Sequence, residues 1–252
     1  MTDEYAYNGF RIVASGVPEA TLDAARKAKG PSQPEGYRYN KAGNRIFEAW
    51  KTSQAVRDIV FAPAVLAAIR EEYDLESEPR ALQTINFDRG TNQPLHQDGI
   101  HFQTQPLGRM VGAWTALEDM DEDNGPLVYV PGSHREGFLG WQDLGFHQVP
   151  VGTQFSQYYE YEKRIKARAP AALGSLWTFT CKKGDTLIWG LDLFHGGAPI
   201  KDPTRTRHSQ VTHYAFADAE FGWAPMFSNP ASGDYLLKSM RWFDREGRQH
   251  SW

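Results

Sequence analysis

Residues Ala81 to Phe87 read Ala-Leu-Gln-Thr-Ile-Asn-Phe, and the fold turns on that stretch. Apolar and polar residues nearly alternate there, which is the period of a strand with one buried face. Similar strand-like runs follow in Met110–Leu117, Leu127–Val130, Leu176–Cys181, Thr186–Trp189 and Gln210–Phe216. These runs are short. Clusters of Gly, Pro, Asn and Asp separate them, such as Asp121–Pro126 and Pro131-Gly132-Ser133. Short strands with such punctuation predict an antiparallel sandwich or barrel. One charged segment, Gln157–Ala169, interrupts the series and predicts an inserted helix.

Upstream of Arg80 the expectation is mainly helical. Pro18–Lys29 stops at Gly30, a good C-terminal signal, and a polar loop follows from Gly30 to Asn44. Ser53–Phe61 has Ser53 in the N-cap position, and Pro63 opens a helix to about Tyr73 with Val65, Leu66 and Ile69 inward. The last thirty-odd residues are aromatic and polar without a clear period. No repeat or linker divides the chain. It reads as one domain over residues 1–252, with a helical part at about 1–75 and a β core at about 80–217.

Composition narrows the function. The 252 residues are 40% hydrophobic and 23% charged, as in a soluble globular protein. Lys and Arg total 27 against 31 Asp and Glu, a net charge of -4. That balance predicts neither nucleic acid nor an anionic membrane as partner. Nor does any run reach the roughly 18 apolar residues of a membrane span. A single cysteine, Cys181, excludes an internal disulfide and a Cys-rich zinc site. With an acidic start, Met-Thr-Asp-Glu-Tyr, this predicts a cytoplasmic setting.

The sharpest local feature is His96-Gln97-Asp98. In a strand, residues two apart face the same side with Cα atoms roughly 6–7 Å apart. An imidazole and a carboxylate so placed can converge on one metal ion. The best third ligand is His195. It follows Gly184–Phe194, which reads as a strand, a tight turn at Gly190 and a second short strand. Two histidines and one carboxylate on one face of a metal form the facial triad of non-haem iron(II) oxygenases. The remaining positions would accept a bidentate 2-oxo acid and O2. The tripeptide alone would equally suit two solvated residues on a surface strand, so its surroundings carry the assignment.

Three further segments supply those surroundings: Trp114-Thr115-Ala116-Leu117, Asn124-Gly125-Pro126-Leu127-Val128-Tyr129-Val130-Pro131-Gly132-Ser133-His134, and Arg205–Tyr214 (RTRHSQVTHY). Pro94-Leu95-His96-Gln97-Asp98 precedes them, and His195-Gly196-Gly197-Ala198-Pro199 lies between the last two. In this order, from about Gln83 to Phe216, the chain resembles the phytanoyl-CoA dioxygenase family. The resemblance implies a mainly β protein with helical additions, built on a double-stranded β-helix (jelly-roll, cupin-like) core. It implies Fe(II) held by His96, Asp98 and His195, with 2-oxoglutarate as cosubstrate and O2 as oxidant.

The resemblance also implies an arginine that grips the distal carboxylate of 2-oxoglutarate. Arg205 and Arg207 compete for this role. Counting back from the pair His213-Tyr214 selects Arg207, which begins the β pattern, whereas Arg205 sits in the Asp202-Pro203-Thr204 turn. The planar guanidinium suits a carboxylate because it can bond bidentately. Ser209, two residues on, could add a hydroxyl. Trp114 falls where the family has a tryptophan near the cosubstrate, and Gln83 and Asn86 are candidates for orienting its carboxylates. Gly197 is a departure, because relatives often carry a serine there.

The reaction implied is hydroxylation, or another oxidation, of a small-molecule substrate with release of succinate and CO2. The alternative is a zinc hydrolase or isomerase on a cupin-like barrel, since the ligand set also suits zinc. A binding module with a dead site is a further alternative. An anchored dicarboxylate at Arg207 has no use in a hydrolase, and the intact set argues against a dead site. Asp98 argues against a halogenase, which keeps that coordination position for halide. Lys163, Arg164, Lys166 and Arg168 form a basic cluster, but Glu160 and Glu162 interrupt it, which predicts a solvated helix face. His101 is expected to rim the pocket. The loop Gly99–Arg109, hinged at Gly99 and Gly108, is expected to close over it with part of Gln154–Tyr161.

Overall fold

The structure is a computed structural model that describes residues 1–31, 45–140, 143, 154–172, 176–228 and 233–252, with side chains in the 154–172 helix for 158–167. Most of the expected loop Gly30–Asn44 lies outside the described residues.

Five helices are described: α1 (Asp3–Asn8), α2 (Glu19–Arg26), α3 (Gln54–Val60), α4 (Pro63–Tyr73) and α5 (Gln154–Ala172). Their ends follow local chemistry. The Ser53 hydroxyl accepts from Val56 N–H at 3.4 Å and caps α3. Pro63 sits in the first turn of α4, where a missing N–H costs nothing. Val65, Leu66 and Ile69 are buried as their spacing predicts. The N-terminal part is not purely helical, because Phe10–Ala14 forms a strand, β1. Its five residues show no clean period, and pairing with a distant strand decides their state.

The other strands are β2 (Arg45–Phe47), β3 (Arg80–Phe87), β4 (Gln103–Gln105), β5 (Met110–Ala116), β6 (Leu127–Tyr129), β7 (Trp177–Thr178), β8 (Asp185–Gly190), β9 (His195–Gly197), β10 (Ser209–Ala215), β11 (Phe221–Trp223), β12 (Leu237–Lys238), β13 (Arg241–Phe243) and β14 (Gln249–Ser251). The major sheet runs β1-β8-β5-β10-β3-β13-β14, with β2 also on β3. A minor sheet runs β7-β6-β9, and His96 adds a bridge to His195 on β9. From β3 onward the chain passes between the two sheets. It goes from β3 to His96, back to β5, across to β6 and β7, back to β8, across to β9, and back to β10. That alternation makes a double-stranded β-helix, a jelly roll, in a mainly β protein with helical additions.

Three packed layers explain why the central strands are buried along their whole length. On β5, Val111 and Ala113 pack with Ile188 and Tyr214 against Leu22, Val56, Ile59 and Ile69 of the helices. Its other face presents Trp114 and Ala116 to Leu127, Tyr129, Leu187, Trp189 and Val211 between the two sheets. Beyond the minor sheet, Val128 and Phe194 pack on Tyr161 and Ile165 of α5. Each such large apolar side chain removed from water stabilises the fold by roughly 1.5–3 kcal/mol before entropy is counted. Among the described residues no helix is long and apolar enough to cross a membrane.

Candidate metal centre

His96 and His195 face each other because their backbones exchange two hydrogen bonds, of 2.9 and 3.0 Å. Asp98 arrives differently from the expectation. The chain does not continue as a strand through His96-Gln97-Asp98 but turns into a 3-10 helix at Asp98–Ile100, with Gly99 N–H bonded to the Leu191 carbonyl at 3.0 Å. The turn, rather than a strand pleat, swings the carboxylate beside both imidazoles. Asp98 Oδ1 lies 3.5 Å from Nε2 of His96 and 3.5 Å from Nε2 of His195. One ligand atom from each of the three lies within 4.8 Å of the others. Gln97 points the other way. Its amide bonds to the carbonyls of Gly137 (2.8 Å) and Asp192 (2.6 Å) and accepts from Leu139 N–H (2.9 Å).

These residues fit a divalent metal ion. Nδ1 of His96 stands 2.9 Å from the Pro94 carbonyl, and Nδ1 of His195 stands 3.0 Å from that of Leu193. A carbonyl only accepts, so each Nδ1 carries the proton and each Nε2 is the metal-facing nitrogen. On Asp98, Oδ2 accepts from Trp189 Nε1 at 3.1 Å and from His213 Nε2 at 3.2 Å, which leaves Oδ1 for an ion. The set of two imidazole nitrogens and one carboxylate oxygen is the facial donor set of iron(II). Gln93 Nε2 contacts His96 Nε2 at 3.0 Å, and an ion on that nitrogen would displace this contact.

Electrostatics agree with the geometry. Burial would raise the Asp98 carboxyl, but the charge of His195 and hydrogen bonds from His195, His213 and His96 hold it well below the usual range. Burial would lower His195, yet Asp98 outweighs that and raises it. His96 is lowered by burial and by its neighbour His195.

The triad opens onto a cavity of about 560 Å³ that Trp114, Gln83 and Arg207 also line. Arg207 is 2% exposed, and its guanidinium lies 5.2 Å from the Phe87 ring and 5.8 Å from the Trp114 ring. One N–H reaches the Arg89 carbonyl at 3.4 Å, and Nε has no partner. Burial, with Arg45 nearby, pushes its pKa down to about 10. A buried cation without a bound carboxylate is costly, and an incoming carboxylate would relieve it. Arg205, by contrast, pairs with Asp121 at 2.8 Å on the surface, as its turn position predicts.

The other expected residues divide. Gln83 faces the cavity, where its Nε2 lies 3.1 Å from Nδ1 of His213, behind Asp98. Asn86 is a correction, because it lies on the opposite face. Its amide donates to Gln210 at 3.2 Å, and Gln210 in turn donates to the Val56 carbonyl of α3. The pleat puts Gln83, Ile85 and Phe87 toward the cavity, so Asn86, three residues from Gln83, must face the helices. Ser209 is fully buried with an unpartnered hydroxyl, but it does not line the cavity. A Cβ at Gly197 would meet Thr91 Oγ1 at 2.9 Å, so a serine there would need Thr91 to shift, and Thr91 itself lines the cavity.

His101 lines the cavity as expected, bonded to Tyr158 OH at 3.0 Å and pushed by burial down to about 3. His134 lies outside it, with Nε2 3.0 Å from the Ala6 carbonyl. The hinge expected at Gly99 is a correction as well. Gly99 is buried, and a Cβ there would meet Gln103 Nε2 at 2.6 Å and the Phe138 ring at 2.9 Å. Residues 103–105 form β4, paired to β11, so this segment is packed wall rather than free loop. Trp189, His213 and Thr91 had no assigned role in the sequence reading. The one available signal was that His213 lies an even number of residues from Arg207, hence on the same strand face.

A family model, phytanoyl-CoA dioxygenase (PhyH), matches residues 7–209. The chain belongs to the phytanoyl-CoA dioxygenase family. A domain-containing protein 1 of that family from Danio rerio is 55% identical over 115 residues, 44% of this chain and 35% of its own length. The peroxisomal phytanoyl-CoA dioxygenase of Homo sapiens is 33% identical over 131 residues, 52% of this chain and 36% of its own. The matches thus span about a third of the length of these two curated relatives. The fold is similar to that of the non-heme alpha ketoglutarate dependent carbocyclase SnoK, with a TM-score of 0.62 at 16% identity over 87% of this chain and 86% of that one. It is also similar to EctD from S. alaskensis, solved with 2-oxoglutarate and 5-hydroxyectoine, with a TM-score of 0.57 at 16% identity over 86% and 75%.

Proposed function

We propose that this protein is an iron(II)- and 2-oxoglutarate-dependent dioxygenase that hydroxylates, or otherwise oxidises, a small-molecule metabolite with release of succinate and CO2. One juxtaposition carries the reading. The His96–Asp98–His195 donor set and the buried, partly unbonded Arg207 open into the same cavity. A zinc hydrolase would account for the first but not for the second. Membership of the family supports the same chemistry.

Bound iron(II) and 2-oxoglutarate would together reduce O2, the oxidant, and so make available an oxidising power that no protein side chain has. The chain's own residues position and insulate them. His96, Asp98 and His195 hold the ion, and Trp189 and His213 hold Asp98. Arg207 takes the distal carboxylate of the cosubstrate, and Trp114 and Phe87 flank that guanidinium and exclude water from it. The hydroxyl of Thr91 stands beside Gly197, where relatives place a serine. Gln83 orients His213 and so acts on the site through it. The setting is cytoplasmic in this reading, in keeping with the single cysteine, Cys181, and the substrate is a small molecule rather than a nucleic acid or a membrane.

The test is an anaerobic titration with iron(II) and 2-oxoglutarate, followed by succinate detection on admitting O2. The expected result is iron-dependent succinate formation, even without substrate. Metal binding with no 2-oxoglutarate consumption under any substrate in a metabolite library would overturn the assignment.

A further inference from the structure

The cavity wall carries a charge pattern that neither the metal nor the cosubstrate uses. With Asp98 and Arg207 set aside, the wall holds three cations, Arg45, Lys238 and Arg241, against one carboxylate, Glu48. Glu48 is already paired with Lys51 at 3.1 Å, and Lys51 lies outside the cavity. Arg45 donates to Gln93 at 2.8 Å. Lys238 differs. It is exposed at the rim of the cavity, its ammonium lies 5.5 Å from the Phe102 ring, and among the described residues no ion pair reaches it. Water solvates this ammonium at the rim, and an arriving carboxylate would replace that water with a charge-assisted contact.

Lys238 is on β12 and Arg45 on β2, so they reach the cavity from different sheets. Both line the same cavity as His101, whose ring lies 6.1 Å from that of His96, so their charges face the space beside the metal-ligating residues. Around them the wall is apolar, with Phe47, Leu82, Phe102, Met226, Phe227 and Met240. An apolar chamber with a net positive rim attracts a molecule of the complementary kind.

We propose that the substrate is an amphipathic organic anion whose carboxylate is received by Lys238, while its apolar body lies along Phe102, Met226, Phe227 and Met240. This rests on the oxygenase reading and narrows it to a substrate class. A single ammonium suits one carboxylate. The several phosphates of a coenzyme A thioester would need a larger basic surface. In the basic stretch on α5, Arg164 is already paired with Glu160 at 3.2 Å.

Isothermal titration of the iron(II)- and 2-oxoglutarate-loaded protein under argon tests this with octanoate, octanamide, 3-phenylpropionate and octanoyl-CoA as probes. The variant is Lys238→Met, which keeps the aliphatic stem. The expected results are that at least one free carboxylate binds, that octanamide binds about threefold to fivefold more weakly than octanoate, and that Lys238→Met removes this difference. Affinity for 2-oxoglutarate should be the same in Lys238→Met as in the parent. The proposal is overturned if neither carboxylate binds, if octanoate and octanamide bind equally, if octanoyl-CoA binds more tightly than octanoate regardless of Lys238, or if Lys238→Met weakens 2-oxoglutarate instead. Substrate-free succinate formation, measured alongside, separates the two readings. Lys238-dependent octanoate binding without succinate formation would leave the anion site standing and remove the oxygenase. Succinate formation with Lys238-independent binding would do the reverse.

Discussion

Trp189 donates its indole N–H to Oδ2 of Asp98 at 3.1 Å, from the end of β8 before the chain returns as the strand bearing His195. The same carboxylate oxygen accepts from His213 on β10, so two donors from the strands on either side of β5 hold it from behind while Oδ1 stays open. Such outer contacts typically contribute 10- to 100-fold in metal affinity. Trp189→Phe keeps the ring bulk and removes the donor. The expected outcome is about tenfold weaker iron(II) binding in an anaerobic titration, with the melting temperature nearly unchanged. An unaltered affinity would mean that the indole only fills space.

Gly112 on β5 faces that indole, and a Cβ there would lie 2.9 Å from one Trp189 ring carbon and 3.0 Å from another. Both neighbours are buried in the sheet and cannot yield freely. Gly112→Ala is therefore expected to destabilise the protein by about 1–3 kcal/mol, the usual cost of overpacking. It should also weaken iron binding, because Asp98 moves with the indole. Urea unfolding checks the first effect and metal titration the second.

The triad takes one ligand atom from each of three residues, and the nearby imidazoles are already engaged, His213 with Asp98 and Gln83 and His101 with Tyr158. His96→Ala or Asp98→Ala should abolish iron binding and 2-oxoglutarate consumption together. Measured side by side, consumption at the parental rate in either variant would remove the assignment. Asp98→Gly removes the same carboxylate with less bulk, and in it iron binding should be lost in the same way unless an added anion such as chloride fills the vacated position, which absorption spectroscopy would show.

Arg207 and Arg205 are two residues apart yet differ in almost every physical respect. Arg207 is buried in the cavity wall, and Arg205 forms a surface pair with Asp121. A charge-assisted pair with a carboxylate is worth roughly 1.5–3 kcal/mol, or about ten- to a hundredfold in affinity. Arg207→Ala should raise the 2-oxoglutarate requirement by that factor, whereas Arg205→Ala should leave it near parental. Steady-state succinate formation against 2-oxoglutarate concentration distinguishes them, and equal effects would place the cosubstrate elsewhere.

Metal uptake should be acid-sensitive, and the sign follows from His195. Burial pulls its pKa down, but Asp98 outweighs this and leaves it above its ordinary value near 6.5. Below that raised pKa the metal-free protein carries a proton on Nε2, opposite Asp98, which the ion must displace. His96 is lowered and needs no deprotonation at neutral pH. Affinity should climb with pH through the His195 titration and then level off, with about one proton released per ion on the acid side. Cobalt(II) titrations between about pH 6 and 8.5, in buffers of different ionisation heat, measure both slope and proton count. A flat profile would show His195 already neutral.

The residue types and their chain order determined much of this protein. His96, Asp98, His195 and Arg207 stood out as candidates because metal and carboxylate binding each demand a particular side chain. The turn clusters between short apolar runs announced an antiparallel β fold, and Ser53 and Pro63 marked real helix starts. Only the tertiary structure decided which face each residue took. Gln83 and Asn86 looked alike in the sequence, but a strand's pleat sends residues three apart to opposite sides, and Asn86 went to the helices. Asp98 reached the histidines through a 3-10 turn because Gly99 bonds to Leu191, a contact 92 positions away in the chain. Trp189 and His213 became partners of Asp98 only when β8 and β10 took their places in the major sheet. Lys238 entered the cavity wall only when β12 paired with β11, from a segment too short and irregular to show any period. Local sequence sets what a side chain can do. Which other side chains it does it with depends on long-range strand pairing, whose energy comes from contacts that no local pattern records.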